Sequence, residues 1–240
     1  MKNHGSNPLY GKKIIFDGDS ICWATSETVA TQNRGWAYRV GAKNNMEWYN
    51  YGRDGATVTA EMYQKSGARH WVTRSIDAIH EKHTELDYLI FEGGTNDADL
   101  HSHIEERDLR GGFDPYDFSG DYDRTTFAGA LESIFYRATR LWCGKRICYI
   151  VAHKMTWGAC FINRRSYFDL AIEICKKWGI PYLDLWNGCY LNSSLPWMYD
   201  KEKSAEENEA RGSMYIDSQH LSSRGYDLTA DIIDSFLKTL

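Results

Sequence analysis

The chain has 240 residues, 42% of them hydrophobic and 14% aromatic, which is ample for a sizeable core and far from the composition of a disordered segment. A formal net charge of −5, with no basic run longer than two residues, argues against nucleic acid or an anionic membrane surface as the main partner. No apolar stretch of roughly 18 residues occurs, and the start Met1-Lys2-Asn3-His4 lacks an apolar leader region, so no membrane span and a cytoplasmic location are expected.

Short β-rich runs alternate with longer amphipathic stretches. Lys12–Phe16 reads as a strand and Gly35–Ala42 as a helix; Met46–Asn50 is a second strand, followed by helical patterning in Val58–Gln64 and Trp71–His83. Tyr88–Phe91 is a third strand, Phe127–Leu141 a helix and Arg146–Val151 a fourth strand. Asn163–Trp178 is a helix that stops at Gly179, with Pro181 just beyond, as helix ends prefer. Tyr182–Leu185 is a short fifth strand, and Ser222–Leu240 a closing helix capped by Ser222 or Ser223. Strands alternating with helices of this length predict one α/β domain over 1–240 built on a mainly parallel sheet covered on both faces. Ligands of such sheets bind beyond the carboxyl ends of the strands.

Two segments interrupt the alternation, Asp99–Arg124 and Pro196–Tyr215, and both are expected near that binding edge. Each is either a lid or substrate contact, or a solvated surface excursion. Cys22, Cys143, Cys148, Cys160, Cys175 and Cys189 form no C-x-x-C pair, and a chain of this length needs no disulfide staples; reduced thiols are expected.

Four of the turns that leave the strand ends carry chemistry. After the first strand comes Gly18-Asp19-Ser20-Ile21, which places a serine hydroxyl and its amide at the carboxyl edge. After the second, Asp54-Gly55-Ala56-Thr57 offers a glycine amide; after the third, Gly93-Gly94-Thr95-Asn96-Asp97 offers a carboxamide donor of the kind that stabilises a developing oxyanion. Asp217-Ser218-Gln219-His220 lies just before the last helix, and two residues between Asp and His allow a tight turn in which the carboxylate reaches imidazole Nδ1, leaving Nε2 to accept a proton.

In this order, and spanning Gly18 to His220, the four segments resemble the SGNH (GDSL-type) hydrolase family of esterases and lipases. The resemblance implies a three-layer α/β/α domain with a five-stranded parallel sheet of flavodoxin-like order, and Ser20 as nucleophile, His220 as general base and Asp217 as its orienter. It implies an oxyanion hole of the Ser20 amide, the Gly55 amide and the Asn96 side chain. Ile21 replaces the family's usual leucine, a harmless apolar exchange, and Leu221 stands where the family usually has proline after its histidine, which leaves the geometry of the final turn open.

Around these residues, Ile21, Trp23, His153, Trp157 and Trp197 are candidates for the substrate pocket; aromatic faces on loops suit a sugar ring, although half such tryptophans merely pack. His153 can equally be structural. Asp19 and Asp97 are expected to brace their turns. His80 with His83, and His101 with His103, Glu105 and Glu106, could be read as metal sites, but lack the accompanying pattern and are expected to be structural or solvated. Neither G-x-x-x-x-G-K-[ST] nor G-x-G-x-x-G occurs, so no nucleotide cofactor is expected, and no metal or other cofactor. The functional expectation is hydrolysis of short-acyl, above all acetyl, esters on a small molecule or oligosaccharide. A lysophospholipase or thioesterase on the same scaffold, and a non-catalytic carbohydrate-binding module, are the alternatives.

Overall fold

The computed structural model describes residues 7–23, 35–59, 72–100, 109–156 and 161–240. Five strands, β1 (Lys13–Asp17), β2 (Glu47–Asn50), β3 (Tyr88–Glu92), β4 (Arg146–Val151) and β5 (Tyr182–Asp184), form one parallel sheet in the order β2-β1-β3-β4-β5. The register sets Ile15 against Tyr49 and Leu89, and Ile90 against Cys148. β3 is buried along its whole length, as a central strand covered on both faces must be. This is why it reads as the unbroken apolar run Tyr-Leu-Ile-Phe, without polar alternation.

The helices are α1 (Ser20–Trp23), α2 (Trp36–Lys43), α3 (Val72–Lys82), α4 (Thr95–Leu100), α5 (Phe127–Leu141), α6 (Phe161–Trp178), α7 (Leu185–Gly188), α8 (Ala205–Ala210) and α9 (Ser223–Leu237). Helices α2 and α9 pack together on one face of the sheet. Trp36 seals that contact: its ring meets Tyr226 edge-on and its Nε1–H donates to Thr229 Oγ1 at 3.0 Å, so a large side chain is buried without orphaning its one polar atom. On the other face α3, α5 and α6 pack in sequence, with Phe135 wedged against Phe91 and Tyr149 of the sheet. Ser222 is the N-cap of α9, its oxygen accepting from Gly225 N.

The expected elements differ from the observed ones mainly at their ends. The stretch Val58–Gln64 is a correction: Val58 and Thr59 lie in a bend, because their amides are taken by a carboxylate rather than by a helical carbonyl, while residues 60–64 lie outside the described residues, as does Trp71. Short helices α1, α4, α7 and α8 carry no periodic apolar signature and escape a pattern reading. Residue 185 opens α7 rather than closing β5, because the Asp184 side chain caps the helix at Asn187 N.

The first excursion, expected over Asp99–Arg124, is revised in its described part, residues 101–108 lying outside the described residues. Residues 109–124 do not sit over the binding edge. Helix α6 returns from the carboxyl edge to the amino edge of the parallel sheet, so its last turn, with Lys177 and Trp178, lies at the opposite end, and that turn is where this segment is fastened. Lys177 Nζ lies 5.2, 5.1, 5.5 and 5.9 Å from the ring centres of Phe113, Phe118, Tyr122 and Trp178. It donates to Asp114 O at 2.7 Å and pairs with Glu132 of α5. Residues 196–215, in contrast, hold α8 and lead into the Asp217–His220 turn. No helix of the described residues is long and apolar enough to cross a membrane. Cys22, Cys143, Cys148, Cys175 and Cys189 are free, while Cys160 lies outside the described residues.

Candidate active site

In the order β2-β1-β3-β4-β5 the chain reverses direction of travel between β1 and β3, and a crevice opens beyond the carboxyl ends of those two strands. Ser20 leaves β1 and Asn96 leaves β3, so both flank it. Ser20 is the first residue of α1, and Asp19 Oδ1 accepts from Ile21 N at 2.8 Å to cap that single turn. The turn is clasped to the one after β2: Arg53 N donates to Gly18 O at 3.0 Å, and Asn50 binds Gly52 N at 3.0 Å and Cys22 O at 3.1 Å.

Asp217–His220 is the tip of a small antiparallel hairpin. Ile216 N donates to His220 O and Ser222 N to Met214 O, both at 3.0 Å, with Tyr215 paired to Leu221. Leu221, in the position usually held by proline, is thus accommodated by hairpin pairing. Asp217 Oδ1 accepts from the amides of Gln219 and His220 at 2.8 and 2.6 Å, which folds the carboxylate over the tip. Its Oδ2 meets His220 Nδ1 at 2.8 Å, and His220 Nε2 lies 3.0 Å from Ser20 Oγ across 200 residues of chain. A carboxylate accepts only, so Nδ1 carries the proton and Nε2 presents its lone pair to the serine hydroxyl.

Burial disfavours an imidazolium at this position, yet the hydrogen bond and charge of Asp217, with the charges of Asp19 and Asp54, outweigh it and hold the His220 pKa above its ordinary 6.5. Burial likewise penalises the Asp217 carboxylate, but the bonds from His220 and the two amides hold its pKa below the usual range.

The proposed oxyanion donors come to the same edge. Gly55 adopts φ +68°, a left-handed conformation costly for a side chain. Neither the Ser20 nor the Gly55 amide donates to another group among the described residues. Asn96 Nδ2 donates one proton to Ala56 O at 2.8 Å, which fixes the amide plane and leaves its second proton for a ligand. Asp97 is fully buried and accepts from Val58 N, Thr59 N and Thr59 Oγ1, each at 2.9 Å. It therefore braces the loop that follows Gly55.

The remaining candidates separate. Ile21 has no exposed surface and belongs to the core, so it does not line a pocket. His153 is also fully buried: its Nε2–H donates to Gln219 O at 2.8 Å, which makes it an anchor of the catalytic turn, not a pocket wall. Trp23 is half-buried with the Arg53 guanidinium 4.8 Å above its ring, and Trp197 is 69% exposed. Trp157, His101, His103, Glu105 and Glu106 lie outside the described residues. His83 Nε2 meets Tyr51 OH at 2.9 Å and His80 packs edge-on against Trp142, so both make ordinary packing contacts.

Residues that a motif reading overlooks hold the turn. Ser218 O accepts from Ser193 Oγ at 2.8 Å and from Thr156 N at 3.1 Å, so both inner residues of the tip are tied by their carbonyls to loops beyond β4 and β5. Glu92 is another: it is 1% exposed at the end of β3, directly beneath the Ser20 turn. A carboxylate closing an otherwise apolar run was the available sign, but strand ends ordinarily reach solvent.

A family model described as the GDSL-like lipase/acylhydrolase family matches residues 16–228. No curated protein matches the chain by sequence. Among solved structures, a protein from Lactobacillus plantarum superposes with a TM-score of 0.68 at 20% identity, covering 96% of this chain and 98% of that one. The aryl esterase of M. smegmatis gives 0.66 at 12% identity, covering 96% and 100%. A carbohydrate acetylesterase from Sinorhizobium meliloti gives 0.64 at 13%, covering 95% and 99%. At these identities the likeness establishes the fold.

Proposed function

The chain belongs to the GDSL-like lipase/acylhydrolase family, and from that premise we propose that it is a serine esterase acting through Ser20, His220 and Asp217 on short-acyl, chiefly acetyl, esters of a carbohydrate. The observation that carries the chemistry is the unbroken chain Ser20 Oγ–His220 Nε2 at 3.0 Å and His220 Nδ1–Asp217 Oδ2 at 2.8 Å. Ser20 Oγ attacks the ester carbonyl as His220 Nε2 takes its proton. The Ser20 amide, the Gly55 amide and the Asn96 carboxamide receive the negative oxygen of the tetrahedral intermediate. His220 returns the proton to the departing alcohol, leaving an acyl-enzyme. Water, deprotonated by the same imidazole, then releases the acid and restores Ser20.

The substrate class rests on the character of the surroundings. Trp23 under Arg53 and exposed Trp197 are polar-tipped or aromatic surfaces of the kind that receive sugar rings. A structural neighbour, from Sinorhizobium meliloti, is a carbohydrate acetylesterase. The test is acetate release from a panel of acetylated glycans, beside a chain-length series of nitrophenyl esters. Acetyl esters are expected to be cleaved fastest, and Ser20→Ala to lower the rate by about 10⁶-fold, the scale of losing a serine nucleophile. Faster cleavage of long-chain esters would move the assignment to a lysophospholipase or thioesterase. Failure of a fluorophosphonate to label Ser20 in the folded protein would leave only a binding role.

A further inference from the structure

Beneath the nucleophile turn lie two carboxyl groups that the hydrolytic steps do not use. Asp19 and Glu92 are 0% and 1% exposed. Glu92 Oε2 accepts from Asp19 N at 3.3 Å, and Asp19 Oδ1 accepts from Ile21 N, which leaves Asp19 Oδ2 and Glu92 Oε1 buried with no partner among the described residues. The two carboxyl groups adjoin, since the Glu92 carboxyl that takes the Asp19 amide also acts on the Asp19 side chain and is acted on by it. Two carboxylates cannot bond one another, but an acid and a carboxylate can, and a single proton satisfies both orphaned oxygens. The fit is close: a Cβ on Gly18 would stand 2.7 Å from Glu92 O and 2.9 Å from its Oε2, so glycine alone allows this approach.

We propose that Glu92 is a positioning residue of the reaction: it shares one proton with Asp19, and this buried acid–carboxylate pair fixes the turn that aims Ser20 at His220. The inference rests on the reading of Ser20 as nucleophile. Geometry gives Glu92 its reach, because β3 pairs with β1 and ends beside the Gly18 turn, with Asp17 set against Phe91. Burial drives both carboxyls toward the protonated form; Asp19 raises Glu92 further, while the hydrogen bond with Glu92 lowers Asp19, which makes Glu92 the acid and Asp19 the carboxylate of the pair. The groups facing the pair are Asp17 at the end of β1, Cys22 on α1, Asp97 on α4, Tyr149 on β4, Tyr226 on α9 and His220 on the hairpin tip. Only His220 among these described groups can be positive, so among the described residues a proton is what neutralises the second carboxylate. The pair with one proton carries a single negative charge, which also favours the imidazolium that His220 becomes during the reaction.

The test compares Glu92→Gln with Glu92→Leu. Glutamine keeps both bonds, its oxygen accepting from Asp19 N and its amide donating to Asp19 Oδ2, and it keeps the single charge. It should retain kcat within about threefold, whereas leucine should lower kcat by roughly ten- to a hundredfold at little cost in KM, as expected when a reacting group is misplaced rather than removed. Infrared difference spectra give a reading independent of activity: a protonated-carboxyl band at pH 7 in the wild type that disappears in Glu92→Gln. Stability gives a second. Carboxyls whose pKa is raised in the folded state lose stability as pH rises through those values, so the wild type should weaken from about pH 4 upward more steeply than Glu92→Gln. The proposal is overturned if no such band is lost, or if the two variants lose activity equally; should the leucine variant not fold, the band and the pH slope decide. Absence of fluorophosphonate labelling in the wild type would instead overturn the nucleophile assignment, while the band and the slope would still report on the pair.

Discussion

Residues 109–124 and 196–215 are both long, charged connections, yet they are tied to opposite ends of the sheet. The first closes over Lys177, a cation with a 1% exposed side chain held among four aromatic rings and paired with equally buried Glu132. The second is knitted to the catalytic hairpin. Met198 O accepts from Met214 N and Tyr215 N, buried Asn208 binds Asp200 N and O and Ser213 Oγ, and the Glu209 carboxylate accepts from Ser223 N at the start of α9. Composition does not decide whether a loop reaches the chemistry; the element to which its buried polar groups are fastened does.

That contrast predicts a gradient of effects on catalysis. The largest belongs to the hairpin tip itself: Asp217→Asn should lower kcat by about 10⁴-fold, because the amide permits the wrong imidazole tautomer. It also removes the charge that raises His220. In the wild type the base is neutral only above its raised pKa, so the acid limb of kcat/KM should lie above pH 6.5, and Asp217→Asn should move it to lower pH. A limb that stays in place would show that another group sets it.

An intermediate effect is expected one shell further out. His153→Phe keeps the ring against Tyr215, 5.4 Å away between centres, but deletes the donor to Gln219 O. Its kcat should fall roughly ten- to a hundredfold with KM changed less than about twofold, and His153→Gln, which can still donate, should recover much of the loss. Steady-state kinetics of the two variants check this; equal loss in both would point to packing rather than the hydrogen bond.

The smallest catalytic effect, with the largest structural one, is expected at the other excursion. Lys177→Met should leave kcat within about twofold while costing about 3–5 kcal/mol of stability in urea unfolding, since it strands the Glu132 carboxylate in the interior. Burial already raises the Glu132 pKa against the pull of Lys177. Without the lysine it rises further, so the loss should be smaller at low pH, where the acid is neutral in both states, and grow as pH rises. A strong drop in kcat at constant fold would place residues 109–124 at the site after all.

Much of this architecture was legible before any coordinates. The parallel sheet and its main helices follow from apolar runs and their periods, as in Tyr88–Phe91 and Phe127–Leu141, because burial on both faces or on one stripe writes itself directly into residue type. Ser20, Gly55 and Asn96 stood out because each sits on a turn after a strand, and Asp217 with His220 because their spacing fits a tight turn just before the last helix. The single-turn helices were not legible, since capping by Asp19 or Asp184 leaves no periodicity to read. Nor was the core position of Ile21, which has no exposed surface although it directly follows Ser20 in the chain.

What the sequence determined by itself was the alternation of strands and helices along the chain and the set of residues we propose to react, because hydrophobic pattern and turn chemistry are local properties. Tertiary structure alone decided which polar groups meet: Glu92 with Asp19 across 73 residues, His153 with Gln219 across 66, and His220 with Ser20 across 200. Such pairs leave no mark of spacing in the chain. A buried hydrogen bond is satisfied by proximity in space, and only the packed sheet brings those partners together.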